Sequence, residues 1–449
     1  MDNFSKHPQK QLLTGGFVLA LNNEAKIDGQ AEAMLQALHS RSTGGIKEHL
    51  KMLEEKGADN FMEKFYVGYG HKSIGDCGSV TVFVEGISML AAKAIQDWRL
   101  YSGQEASTRY VDFSAQKFLD PTSTKEGEDI LEGWRKFYLE AQEPVQEYLK
   151  TQFIKGEQEN QNIYDKAIKA RAFDITRSFL PAGATTNVAW RMNFRQFADE
   201  LMLLRHHSLE EVRDIAEKTE EVLKEIYSNS FGHKRYPDTE EYNKRWMQEK
   251  YYYENNEAKD FVLLEDNINR GVLSGYKDTL ANRPAKTELP MAIAECGMIS
   301  YEFLLDFGSF RDFQRHRAIV QRMPLLTRVH GFNQWYLNAL PEDLRKKAKE
   351  FIKSQEDKIE KLNIKKEDQQ YFTAMGYRVP CRFSGDLKAL VYLAELRSTR
   401  FVHPTLVEQT LKMIENLKEL FEKDGLVLHL DDEPNRFDIK RGEQDIVEK

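Results

Sequence analysis

The chain has 449 residues, 64 Lys and Arg against 72 Asp and Glu, with 41% hydrophobic and 30% charged residues. That balance is ordinary for a soluble globular protein and excludes wholesale disorder, and the length allows about two to four domains. A net charge of -8 argues against a whole-protein nucleic-acid surface, while leaving room for a local basic pocket for an anionic metabolite.

No stretch approaches the roughly 20 uninterrupted apolar residues of a membrane helix. The best candidate, residues 80–95, contains Glu85 and Lys93. The opening MDNFSKHPQK lacks the apolar core of a signal peptide. Cys77, Cys296 and Cys381 are too far apart for a disulfide framework or a CxxC knuckle, so a reducing cytoplasm is expected.

Residues 31–40 and 46–56 have the spacing of short amphipathic helices. Residues 80–84 (VTVFV) predict a strand ending at Gly86, with a helix from Ser88 towards Arg99. Residues 121–128 predict a loop. Helices follow through Leu149 and from Tyr164 to Phe179. Phe194, Phe197, Leu201 and Leu204 fall on one helical face. Residues 227–260, with Gly232, Pro237 and an aromatic-polar run, read as a connector, placed at 236–260. Residues 301–313 read as one amphipathic stretch. From Phe261 the second half repeats the first half's grammar, a basic helix end, a long helical segment and a basic residue after a Leu-rich helix. An internal duplication is expected, with domains at 1–235 and 261–449. The tail after Leu430 is polar and expected to fray.

The segment SGQEASTRY, residues 102–110, sets small residues among Gln104, Glu105 and Arg109. Small side chains let backbone N–H groups approach an anion, and hydroxyls with an arginine complete phosphate recognition. Alone, such a loop is more often a solvated turn. Likewise, Arg315-His316-Arg317 alone reads as a solvated basic helix end. His206, His207 and His403 have no second ligand at metal-site spacing, so no metal is expected.

Taken in order, the motifs resemble those of the flavin-dependent thymidylate synthases. Gly70-His71-x-Ser73, Arg99, Ser102, Glu105, Ser107, Arg109 and Tyr110 fall at that family's spacing. Arg177-Ser178-Phe179-Leu180-Pro181, Asn193-Phe194-Arg195 and Leu204-Arg205 resemble its later blocks, and the resemblance covers residues 12–225. It departs where the family's Arg-His-Arg cluster is Asp97-Trp98-Arg99, preceded by Ala94 in place of a glutamine. The second half carries a complete Arg315-His316-Arg317, with Asp312 at the glutamine position, but lacks the Ser/Glu/Ser/Arg-Tyr loop. Arg397 lies eleven residues beyond Asp386, about three helical turns, and looks like the family's terminal arginine block.

The resemblance implies an α+β fold of two tandem thymidylate-synthase-complementing-protein-like domains, helix-rich with a small sheet in each. It implies reductive methylation of dUMP to dTMP, using methylenetetrahydrofolate, reduced FAD and NADPH. On the family's pattern Arg397 is the catalytic candidate, favouring the pyrimidine ionised at N3. Glu105, Ser107, Arg109, Arg177 and Arg315 would bind the nucleotide. His71, Ser73, Glu105, Asn193, Arg195, Arg315, His316 and Arg317 would contact the flavin. The split of motifs implies one composite site drawn from both halves and a dead mirror-image site. It also implies a homodimer forming a pseudo-tetramer of repeats, with no nucleic-acid or membrane partner. The alternatives are a catalytically silent nucleotide- or flavin-binding scaffold and an enzyme modifying C5 of another pyrimidine nucleotide.

Overall fold

The computed structural model describes residues 8–20, 28–41, 49, 52–53, 55–68 and 70–440. Most of the helix expected over residues 46–56, and the tail after 440, lie outside the described residues. In chain order the first elements are β1 (Gln9–Gln11), β2 (Phe17–Ala20), α1 (Gly29–Arg41), β3 (Ser79–Ser88), α2 (Met89–Gln96) and β4 (Ser102–Glu105). Next come α3 (Lys125–Gln152), α4 (Gln161–Thr176), β5 (Thr185–Asn193), α5 (Phe194–Leu204), α6 (Glu210–Ile226) and α7 (Pro237–Arg245). The rest are β6 (Phe261–Asp266), β7 (Met298–Asp306), α8 (Phe307–Phe313), β8 (Val320–Arg322), α9 (Glu342–Lys361), β9 (Arg378–Asp386), α10 (Leu387–Arg397) and α11 (Pro404–Phe421), with short helical turns between. The fold is α+β. No described helix is long and apolar enough to cross a membrane.

Two compact units form, residues 1–119 with 184–252, and residues 120–183 with 253–449. Each holds one antiparallel sheet, in the order β1-β2-β3-β5-β4 in the first and β6-β7-β9-β8 in the second. With β1 set aside the two orders correspond, the pattern expected of a repeated module. Register agrees as well: Ser88 pairs with Thr185 in one sheet and Asp306 with Arg378 in the other. Strand by strand, Ser88 corresponds to Asp306, Asp97 to Arg315, Asn193 to Asp386 and Leu204 to Arg397. Packing partition and repeat partition differ, because α3 and α4 precede residue 235 yet pack in the second unit. There Phe137 of α3 stacks on Phe351 of α9 at 4.7 Å, and Gln355 donates to the Ile130 carbonyl at 2.7 Å.

Each sheet's long strand feeds a helix through a capped junction. Ser88 accepts from the Ala91 N–H, and Glu211 of α6 accepts from both the Ser88 N–H and its hydroxyl, at 2.7 and 2.6 Å. In the second unit the polarity is exchanged. Asp306 supplies the carboxylate, accepting from the Ser309 N–H, and Thr405 of α11 supplies a hydroxyl 2.6 Å from the Ser309 hydroxyl. Both junctions satisfy the orphan N–H groups of a helix start and fix the direction in which the next residues leave.

Several sequence expectations change. The strand over 80–84 runs on to Ser88 through a bulge between Glu85 and Ile87, because Gly86 adopts φ 70, which glycine tolerates without strain. Residues 102–105 are an edge strand on β5, not a loop. The predicted loop over 121–128 ends early, since Thr124 caps α3 from Lys125. The amphipathic reading of 301–313 splits into buried strand β7 and then α8. Residues 301–306 are buried without alternation, so their spacing mimics a helix. The 194–204 face holds: Phe194, Phe197, Leu201 and Leu204 are all buried in α5. The 236–260 connector is partly helical, as α7 and a turn over Trp246–Lys250.

Candidate active site

The chain leaves α8 through the turn that carries Arg315, His316 and Arg317. α10 returns alongside it with Asp386 as its N-cap and Arg397 as its last residue. Together they line a cavity of about 400 Å³. Arg315, His316, Arg317, Asp386 and Arg397, all singled out from sequence, meet there. Lys388, Tyr392 and Leu396 of α10 also line it and were missed. Their i, i+4, i+8 spacing after Asp386 was the available signal. Lys388 is neutralised by an ion pair with Glu288.

His316 is buried, and its Nε2 accepts a hydrogen bond from Arg397 Nε at 2.8 Å. Its ring meets Tyr392 edge-on, with centroids 5.8 Å apart. Burial first, then the Arg397 cation, push the imidazole pKa down to about 3 against the pull of Asp312. The ring is therefore neutral across the physiological range. Burial also lowers the Arg397 pKa, opposed by Asp312.

Asp312 stands beside the cavity and acts on several of its groups. It stands 3.9 Å from Arg315 and acts on His316, Arg397 and Arg177. Arg177, from the first half of the sequence, thus lies in the second unit within reach of the second half's cluster. Burial disfavours its charge, but Asp174, Tyr336, Asp312 and Asp306 together hold its pKa above the usual value. Its immediate surroundings are acidic.

In the first unit the corresponding position is occupied by protein. Asp97, at the Arg315 position, pairs with Lys93 at 2.6 Å and takes a hydrogen bond from Tyr251. Lys93 also contacts the Tyr251 hydroxyl at 3.2 Å and lies 5.0 Å from its ring centroid. His207 packs edge-on against Tyr251 and Tyr252. Leu204, at the Arg397 position, is buried apolar core. Trp98 donates to Gln196 at 2.8 Å. Where the resembling family carries arginine and histidine, this unit thus carries an internal ion pair closed by a connector tyrosine. Asp97→Arg, which restores the family residue, is expected to cost about 3 kcal/mol, because it sets a second cation against a buried, deserted Lys93. Chemical denaturation checks this, and unchanged stability would contradict the ion-pair account.

The remaining predicted residues lie in the first unit. His71 and Ser73 flank and enter the short turn Lys72–Gly75, both exposed. Asp76 beside them accepts from Asn193 Nδ2 at 3.1 Å and from Arg195 Nε at 2.8 Å. The two expected flavin motifs are therefore joined by an aspartate that sequence reading overlooked. Glu105 ends β4 and accepts from Gln96 at 2.9 Å. Ser107 and Arg109 follow it, both exposed, at the turn Thr108–Tyr110.

Residues 24–227 match the family described as thymidylate synthase complementing protein. The chain is 25% identical over 405 residues to a UPF0159 protein of Chlamydia pneumoniae, covering 77% of this chain and 75% of that one. A UPF0159 protein of Thermoplasma acidophilum is 25% identical over 443 residues, covering 82% and 87%. A flavin-dependent thymidylate synthase of Thermococcus onnurineus is 27% identical over 188 residues, 40% of this chain and 67% of that enzyme. The family read from the first half's motifs is the family matched over residues 24–227. The UPF0159 alignments are longer than either half and so run across both.

Proposed function

We propose that this chain is a flavin-dependent enzyme that methylates C5 of a pyrimidine deoxynucleotide, dUMP in the first instance. Methylenetetrahydrofolate would give the carbon and NADPH the reducing equivalents. The observation that carries this reading is the cavity of Arg315, His316 and Arg397 in the half that retains the arginine-histidine-arginine cluster. Its volume of about 400 Å³ lies within the usual span of roughly 300–1,000 Å³ for small-molecule sites.

The residues suit an anionic ligand with a planar ring. The Arg397 Nη groups have no protein acceptor among the described residues. Arg315 is exposed and meets Asp312 only at 3.9 Å, and Tyr392 offers an aromatic face. Reduced FAD, when bound, would supply the hydride. Arg315 and Arg317 would hold phosphate oxygens, where guanidinium forks are strongest. Arg397 would face the pyrimidine and stabilise its N3 anion, raising electron density at C5. Glu105, Ser107, Arg109 and Arg177 are proposed as nucleotide contacts, and His71, Ser73, Asn193 and Arg195 as flavin contacts. A cytoplasmic homodimer bringing four repeats together completes the proposal.

A second reading, a nucleotide-binding homologue without turnover, is favoured by the Lys93–Asp97–Tyr251 group filling the first unit's counterpart position. An anaerobic assay of flavin-loaded protein with dUMP, methylenetetrahydrofolate and NADPH separates the two. Mass analysis showing one added methyl group on the nucleotide supports the enzyme. Binding without product supports the silent homologue. Absence of both flavin and nucleotide binding sinks both.

A further inference from the structure

The family resemblance assigns His316 to the flavin, but its ring nitrogen is already engaged. Nε2 accepts from Arg397 Nε at 2.8 Å. The residue is also clamped through its backbone. Its N–H donates to the Phe313 carbonyl at 2.9 Å, and its carbonyl accepts from the Ile319 N–H at 3.1 Å and from Gln321 Nε2 at 2.8 Å. Tyr392 packs edge-on against the ring from α10. A buried, clamped imidazole is a poor mobile ligand and a good fixed acceptor.

We propose that His316 is the positioning residue of this site, gripping the Arg397 guanidinium at Nε so that its two Nη groups point as a fork into the cavity. This rests on the reading of the cavity as the nucleotide site. An arginine ending a helix otherwise samples many rotamers, and holding Nε leaves only the fork to present. The groups acting on the ring are Arg397, Asp312 and Tyr392, and the Arg397 cation outweighs the Asp312 anion. The ring must be the Nδ1–H tautomer and must remain an acceptor as pH falls through 6, where an ordinary histidine would protonate and release the arginine.

Two measurements on the full chain test this. The first compares dUMP and FAD binding for the wild type, His316→Leu, His316→Gln, Arg397→Ala and the Leu/Ala double variant. His316→Leu is expected to weaken dUMP about tenfold and FAD less than about twofold, the loss of one hydrogen bond to a charged group. His316→Gln, which returns an acceptor near the Nε2 position, is expected to recover to within about threefold of wild type. On the Arg397→Ala background, His316→Leu is expected to add nothing, since its effect passes through the arginine. An additive double variant, or FAD weakened as much as dUMP, would mean that the ring touches ligand itself and would overturn the proposal.

The second measurement is nitrogen NMR of the histidine rings in ligand-free protein, which depends on no functional reading. His316 should show an unprotonated Nε2 from pH 8 to pH 5. A ring that titrates near 6.5 ends the proposal. If the wild type binds neither dUMP nor FAD, the function proposed above fails. The NMR result and the same variant series with inorganic pyrophosphate then decide the His316–Arg397 arrangement alone.

Discussion

On the function proposed above, replacing Arg397 by alanine is expected to cut turnover of dUMP about 100- to 1,000-fold, the loss that follows removal of one preorganised donor to a developing anion. The fold should survive. Arg397 is the last residue of α10, half-buried, and its described hydrogen bond is to His316. Far-UV circular dichroism and thermal midpoint should stay close to wild type while kcat falls. Arg397→Lys should recover little, because an ammonium has no Nε to give His316 and no fork to present. Turnover within about threefold of wild type for Arg397→Ala would remove this residue from the chemistry.

The second large effect concerns Glu200, in α5 of the first unit. The residue is 2% exposed and both carboxyl oxygens lack a hydrogen-bond partner among the described residues. Burial first, then the nearby Asp97 charge, push its pKa well above the carboxylate range, a shift that the nearby indole of Trp190 opposes. The folded chain therefore keeps this proton at pH values where the unfolded chain releases it. The associated stability is fully present below the unfolded pKa of roughly 4.3 and is lost at about 1.4 kcal/mol per pH unit as pH rises towards the folded pKa. Glu200→Gln removes the titration while keeping shape. It should match the wild type near pH 4 and become progressively more stable than it as pH rises. Denaturant titrations at pH 4 to 8 check this, and parallel stability curves for the two proteins would refute it.

Both predictions concern equivalent positions of two units whose sheets share a strand order once β1 is set aside. At the Arg397 position the first unit has buried Leu204, and at the Leu393 position it has Glu200. Where the second unit lines a cavity with guanidinium groups, the first has an ion pair and a tyrosine. The exchange reaches the helix caps, where Ser88 and Glu211 trade carboxylate and hydroxyl with Asp306 and Thr405.

The sequence by itself determined the local features. The apolar face of α5 is a matter of side-chain period, and Arg315-His316-Arg317 is a contiguous run. Asp386 and Arg397 bracket a single helix, so spacing alone brought them to one cavity. What only the tertiary structure decided is non-local. Residues 102–105 became a strand because β5 offers them an edge. Residues 301–313 divided into strand and helix because β7 is paired on both edges and its buried run over 301–306 carries no alternation to read. Arg177 joined the second unit, Asp76 joined Asn193 to the His71 turn, and Tyr251 closed over Asp97. Each of these depends on which distant surface a residue is buried against, and neither spacing nor composition contains that information.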